Sequence, residues 1–460
     1  MRSTHIFFTL FIVSLLYILA ISNAGCGQIG MPTGGPKDSI APRLVRASPD
    51  IRSTNVKGNT ITLTFNEYID LKEAQTNVLI SPFPQKPPSI DFKLKTVTVK
   101  FKDTLLPNTT YSINFGNAIV DNNEGNPFKD FTYVFSTGNQ IDSLTLTGKV
   151  LIAETGNADS TLIAMLYRNA DDSAVQKRKP AYIAKLAGDG SFSFINLPAG
   201  NFNVYALKDG DGGKTYNSKK EIFAFADAAV TVSENTEPVI LYASAVEKES
   251  AKPAVKSAVK PKKLIYTFTR DAQDLLSPFE LTFNSPLKKF EPAKLVLRDT
   301  NYKPIPSATW TIDSSRTKIM LTAKWQEAMA YRLIIDTTAF SDSSGNQLTK
   351  ADTIRFTTKE SSDYGNVVLR FSNLDLLKHP VLQFVQGDEI KTSYPLTQKE
   401  WSNKFMAPGE YEIRILYDDN NNGKWDPGNY AKKLQPEKAI TLTQKLAVRA
   451  NWDNERDIKL

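Results

Sequence analysis

One cysteine and two histidines in 460 residues exclude a good deal of chemistry before any motif is sought. Cys26 has no second cysteine to pair with, so no disulfide within the chain braces the fold and packed cores must do so. His5 lies in an apolar leader, which leaves His379 as the sole histidine of the remainder. A zinc site of the usual kind wants several His or Cys ligands. A Ser-His-Asp arrangement would rest on His379 alone, in "LDLLKHP", with no Gly-x-Ser-x-Gly turn beside it. Two-carboxylate glycosidase chemistry needs no histidine and stays only as a minor alternative. Helical periodicity of any length is also missing, and beyond the leader no stretch is apolar enough to span a bilayer. The positive charge, a net +7, is localised: residues 246–263, "VEKESAKPAVKSAVKPKK", hold six lysines against two glutamates. The folded parts are therefore near neutral, no basic face for nucleic acid is expected, and 246–263 reads as an interdomain linker.

What is present begins with that leader. Arg2 precedes an apolar run from Ile6 to Ile21 interrupted only by Thr9 and Ser14, the plan of a secretory signal. Ala24 and Gly25 then lead into Cys26, which resembles the lipobox of bacterial lipoproteins, although Asn23 stands where that pattern usually has an aliphatic residue. The resemblance implies cleavage after residue 25 and acylation of Cys26, palmitate among the chains. Acyl chains gain about 0.8 kcal/mol per buried methylene, so a multiply acylated terminus stays in the bilayer. Residues 26–40, rich in Gly and Pro, read as a tether.

From residue 42 onward short β-branched or aromatic runs alternate with Pro, Asn, Asp and Gly turns, which predicts an all-β chain of sandwiches. Residues 41–138 resemble the bacterial Ig-like domain family first recognised in surface-layer proteins, through "LTFNEYID" from Leu63, "LLPNTTYSINF" from Leu105, "DNNEGN" from Asp121 and "FSTG" from Phe135. The same order returns about 220 residues later in "LTFNSPL", "AYRLIIDTTAFSDSSGN" and "IRFTTKE", within 264–360, without the Pro-Asn turn. A spacing so long indicates duplicated domains and not a solenoid.

A second type lies between and after these. "DGSFSFINLPAGNFNVYALKDGDGGKTYN" resembles the carboxypeptidase-regulatory or transthyretin-like sandwich, and "KFMAPGEYEIRILYDDNNNGKWDPGNY" repeats it 209 residues on. The pairs are Gly200 with Gly409, Phe202 with Tyr411, Asp209 with Asp418, and Tyr216 with Trp425. The expected plan is a signal to residue 25, a lipidated tether, then Ig-like (41–138), transthyretin-like (139–245), linker, Ig-like (264–360) and transthyretin-like (361–460) domains. In the last of these, "DDNNNGKWD" has the ligand order of an EF-hand-type calcium loop: Asp418, Asn420, Asn422, the Lys424 carbonyl and Asp426, with Gly423 at the sharp turn. Asn429 stands where a bidentate Glu would complete it, and the earlier copy, with Asp209 and Asp211, lacks two ligands. A hairpin loop would use the same residues for Asx turns, so both readings stay open; no cofactor is required, and Ca2+ is the candidate.

The whole is similar to Ig-like domain lipoproteins of the Bacteroidota outer membrane. That resemblance implies a non-catalytic, lipid-anchored protein, on the cell surface in preference to the periplasmic face, acting as scaffold or accessory subunit of an outer-membrane β-barrel complex, barrel assembly included. The alternative is a cell-surface glycan binder or adhesin, for which exposed aromatics among Trp310, Trp325, Trp401, Trp425 and Trp452 would serve. Expected partners are the bilayer and β-barrel proteins, a glycan under the alternative, and no nucleic acid.

Overall fold

Alternation in "TITLTF" puts Ile61, Leu63 and Phe65 on one face of the strand Thr60–Phe65, and all three are buried; the threonines between them face outward, the period of two that a half-buried strand requires. The same logic recurs throughout a chain that is nearly all β. The computed structural model describes residues 9–17, 38–168, 171–247, 263–269, 272–387 and 389–460. Residues 9–17 are helical, and among the described residues no helix is long and apolar enough to cross a membrane. Cys26, its tether up to residue 37 and most of the 246–263 segment lie outside the described residues.

The first unit holds most of residues 38–137. Its four-stranded sheet runs Leu44–Ser48, Thr60–Phe65, Thr96–Lys100, Ser89–Lys93, and Ile69–Leu71 pairs separately with Ile119–Asp121. Phe101, just past the four-stranded sheet, meets Phe135 edge-on at 6.2 Å, and the buried Tyr133 donates its hydroxyl to the Pro49 carbonyl at 2.8 Å. Asp121 is also buried, and its carboxylate accepts the backbone N–H groups of Asn123, Glu124, Gly125 and Asn126. Burial pushes its pKa up, but these donors outweigh that and hold it below the ordinary aspartate value.

Within the second unit, residues 264–358 repeat this arrangement strand for strand: Tyr266–Thr267, Phe279–Phe283, Lys318–Thr322 and Thr309–Ile312 form the four-stranded sheet, Leu287–Phe290 pairs with Phe340–Asp342, and Leu295–Asp299, Ala330–Ile335 and Asp352–Thr357 form a three-stranded one. Asp342 gathers its loop as Asp121 does, accepting from the backbone of Ser344 and Asn346 and from the Asn346 amide. The turn whose Pro-Asn signature is missing is nonetheless conserved in geometry. Asn108 and Ala328 both have a φ of 48°, so an alanine sits in the left-handed region that asparagine tolerates better. Thr358 braces it, accepting from the Met329 N–H at 2.9 Å and donating to the Gln326 carbonyl at 2.5 Å.

The remaining two sandwiches share one topology. In the first, Leu144–Ile152 lies between Ser191–Leu197 and Val239–Ala243, parallel to the latter; in the other, Gly365–Ser372 lies between Glu400–Met406 and Asp453–Lys459, again parallel to the latter. Opposite these stand Tyr182–Lys185, Ile163–Arg168, Gly200–Leu207 and Phe223–Phe225, and correspondingly Glu389–Pro395, Pro380–Gln386, Gly409–Tyr417 and Lys438–Thr441. Each pair of sheets encloses its own apolar core, centred on Phe202 and Leu241 in one and on Phe384 and Leu369 in the other. The long strand of each copy opens on a glycine, Gly200 (φ 147°) and Gly409 (φ 155°), followed two residues on by the buried Phe202 or Tyr411.

Two outcomes are expected of these loops and turns. Asp121→Ala and Asp342→Ala should each cost about 2–3 kcal/mol by stranding N–H groups. Because the folded pKa of each is depressed, that contribution is complete above the unfolded value and is lost as pH falls through the folded one. The gap in melting temperature between wild type and either variant should therefore narrow in acid. Ala328→Gly should raise stability by about 0.5–1 kcal/mol by relieving the left-handed alanine, measured by urea unfolding.

Candidate functional site

The calcium-like loop of the last sandwich does more than reverse the chain. Between Tyr417 and Lys438 it leaves its own domain and docks on the 144–243 sandwich. Asn429 begins a short turn, Tyr430–Lys432, capping it by accepting the Lys432 N–H, and pairs with Leu434 across its base at 2.7 and 3.0 Å. Asn429, which stands where the loop motif would have its last ligand, therefore serves to present Tyr430.

Tyr430 fills an aromatic hollow. Its ring meets Phe225 at 5.2 Å, Phe223 at 5.3 Å, Tyr205 at 5.8 Å and Tyr216 at 6.4 Å, all near edge-to-face, the geometry aromatic quadrupoles favour. Its hydroxyl donates to the Asp172 carbonyl at 2.8 Å and shares a hydrogen bond with the Tyr205 hydroxyl at 3.1 Å. Burial, then the bond from Tyr205, drive the Tyr430 pKa far above the ordinary phenol range. Both effects favour the neutral hydroxyl.

Polar contacts extend the join on both sides. The Gln435 amide donates to the Phe225 carbonyl at 3.0 Å and to Asp227 at 2.7 Å, Gly428 N–H reaches the Ser244 hydroxyl at 3.1 Å, and Ala439 N–H reaches the Ala153 carbonyl at 2.8 Å. The Thr441 hydroxyl donates to the Thr155 carbonyl. Gly156 permits this approach: its φ is +71°, and a Cβ there would stand 2.6 Å from the Ala439 carbonyl oxygen. Lys433 and Asp172 pair at 2.7 Å in solvent, a contact worth little by itself.

Asp418 is almost fully buried, and its carboxylate accepts the backbone N–H groups of Asn422 at 3.1 Å and Gly423 at 2.6 Å. The Asn420 and Asn422 amides converge on Asp426 Oδ2 at 2.5 and 2.6 Å, while the Asn420 and Asn422 carbonyl oxygens accept from the backbone of Asn422 and Lys424. The four side chains singled out in the sequence are thus brought together. Glu437, part of no motif, joins them: it is buried, one oxygen accepts the Asp426 N–H at 2.9 Å, and the other has no hydrogen-bond partner. Burial pushes its pKa up and the charges of Asp418 and Asp426 push the same way, while the backbone N–H groups of Asp426 and Asn420 oppose them without cancelling the rise. Among the described residues no three His, Cys, Asp or Glu side chains are by themselves placed to hold a metal ion.

Beside the join lies a cleft of about 790 Å3 lined by the apolar Ile152, Ile222 and Ala243, the charged Lys208, Asp211 and Glu221, and Trp425. The Trp425 indole N–H donates to the Glu437 carbonyl at 2.8 Å. Of the other tryptophans, Trp310 and Trp325 pack on the core of 264–358 and Trp401 on Phe384, whereas Trp452 is exposed under Arg449. His379 is exposed at a turn, with φ 45°.

Tyr430→Phe should cost about 1 kcal/mol by removing its hydrogen bonds and Tyr430→Ala about 3–5 kcal/mol by emptying the hollow. Chemical unfolding should show these losses, and limited proteolysis should find the 418–437 loop newly cleavable in the alanine variant alone.

Comparison with known proteins bears on the other two domains. Residues 38–137 and 261–358 match the family described as bacterial Ig-like domain. No curated protein gives a match. Among solved structures, the Bacillus anthracis TIE protein overlaps 93% of this chain and 76% of its own at 11% identity and a TM-score of 0.18. The N-terminal part of the bacterial S-layer protein SbsC overlaps 45% of each chain at 14% identity and 0.16, and BcpA, the major pilin subunit of Bacillus cereus, 69% of this chain and 99% of its own at 10% and 0.17. Scores so low carry no argument about function. Two stretches of the chain thus match the bacterial Ig-like domain, and each is followed by one of two further β-sandwiches that share a single topology.

Proposed function

We propose that this chain is a non-catalytic, lipid-anchored outer-membrane protein of the Bacteroidota type, displayed at the cell surface, that acts as scaffold or accessory subunit of an outer-membrane β-barrel complex. The mixed-sheet sandwiches are taken as transthyretin-like modules. The observation that carries the reading is the docking of those two modules around Tyr430. A chain that only needed reach would leave its modules independent; this one joins two of them with an aromatic plug and backbone hydrogen bonds, which presents a broad surface of fixed shape. One of its edges is the strand Glu389–Pro395, exposed at every position but Tyr394, with backbone groups free to pair with a partner strand. Cys26 supplies the anchor to the membrane in which such a partner would lie.

A second reading, glycan binding at the cell surface, is favoured by the Trp425 cleft, since an indole face beside carboxylate and ammonium groups suits a sugar ring. Gentle-detergent recovery of the tagged chain from outer membranes, read by quantitative mass spectrometry, separates the two. The scaffold reading expects a β-barrel protein in stoichiometric amount, unaffected by Trp425→Ala, and loss of membrane retention in Cys26→Ala. Recovery of the lipoprotein alone, with polysaccharide binding that Trp425→Ala abolishes, would replace it with the glycan reading.

A further inference from the structure

The geometry points to a calcium site in the last sandwich built from Asp418, Asn420, Asn422, Asp426 and the Lys424 carbonyl, and completed by Glu437, a residue outside the loop motif. Two independent features support it. The first is the orphaned oxygen of Glu437. A carboxylate buried to that degree with Oε1 unpartnered carries a heavy desolvation cost, and it lies against the loop, where Oε2 accepts the Asp426 N–H and the charges of Asp418 and Asp426 act on it. The sequence motif lacked a strong carboxylate at its end because Asn429 is used to present Tyr430; Glu437, brought back as the chain enters the strand Lys438–Thr441, stands in for it.

The second feature is the sister loop. By strand register Asp209 and Glu221 of the earlier copy correspond to Asp418 and Glu437: Leu207 pairs with Phe223 as Leu416 pairs with Ala439. In that copy the Lys214 ammonium lies directly on the buried Asp209 carboxylate, and Glu221 has the N–H groups of Asn217 and Ser218. The position matching Lys214 is Gly423. One copy thus carries its cation on the chain, and the other keeps the anionic residues without it, adding Asn420, Asn422 and Asp426, whose oxygens suit a hard cation. Asp418 accepts one N–H on each oxygen and Glu437 Oε1 accepts none, so lone pairs remain on both, whereas ligation through Asp426 Oδ2 requires the Asn420 or Asn422 amide to release it. Because the same loop carries Tyr430, an ion bound here would stiffen the segment that joins the two sandwiches.

The test is calorimetric titration of CaCl2 into the EDTA-stripped full chain in detergent, paired with thermal unfolding, on wild type, Glu437→Gln and Asn422→Ala. Wild type should bind one Ca2+ with a dissociation constant on the order of 10^-4 to 10^-3 M, the range of extracellular calcium modules, and melt higher with calcium. Glu437→Gln should bind at least about tenfold more weakly, yet melt no lower than wild type in EDTA, because a neutral amide removes the orphaned charge. Asn422→Ala, at an exposed position, should weaken binding and leave the fold intact, and it decides the matter if the Gln variant misfolds. Absence of both heat and melting shift in wild type, or equal binding by wild type and the folded variants, overturns the proposal.

Discussion

A single tyrosine, carried on a loop that leaves one β-sandwich, fills the aromatic hollow of another, and the join between those two sandwiches is built around that contact. With no second cysteine to form a disulfide, two domains separated by more than a hundred residues of sequence are held together by burial and hydrogen bonding. Burying one aromatic ring is worth a few kcal/mol, enough to matter against a surplus of about 5–15 kcal/mol for a whole domain. The hydroxyl bonds to Asp172 and Tyr205 then fix the depth and orientation that burial alone would leave loose. Gly156 is the steric concession that lets the two surfaces close, and Gly428 lets the loop close on its own Pro436 and Leu434.

The two mixed-sheet copies show how one topology can be given different work by its loops. Both retain a buried aspartate two residues after the long strand ends its core-facing run. In the earlier copy a lysine satisfies it, and the loop folds back on its own domain. In the later copy the loop is longer, is held by asparagine turns, and reaches outward to deliver Tyr430. Its anionic residues and its docking residue share about twenty positions, so whatever orders one orders the other. A pair of sandwiches joined in this way offers a partner one continuous surface, which is the physical content of the scaffold reading.

Much of this was legible in the sequence. Alternation in "TITLTF" and "AYRLII" marks inward-facing residues, and the order of motifs marks the two Ig-like stretches, because strand period and turn chemistry are local properties. The turn at Ala328 was not legible: its signature was replaced, but strand pairing and Thr358 impose the same φ on an alanine. Tyr430 escaped notice because an aromatic in an Asn-, Gly- and Pro-rich loop looks like surface, and only the tertiary fold reveals the hollow of Tyr205, Phe223 and Phe225. Glu437 escaped for a related reason, since its neighbours in space lie 11 to 19 residues back along the chain. The Asp418 to Asp426 spacing announced a loop able to gather oxygens but could not show that a buried glutamate faces it.

The most direct test of the central claim is the distance between the two mixed-sheet sandwiches in solution. Spin labels on cysteines introduced at the exposed Lys177 and Lys445, with Cys26 replaced, would report it by pulsed electron resonance. One narrow distance peak in the Tyr430 protein that broadens in the alanine variant is the expected result. A broad distribution in both would contradict the account, for it would mean that the sandwiches move independently and that the tyrosine does not hold them.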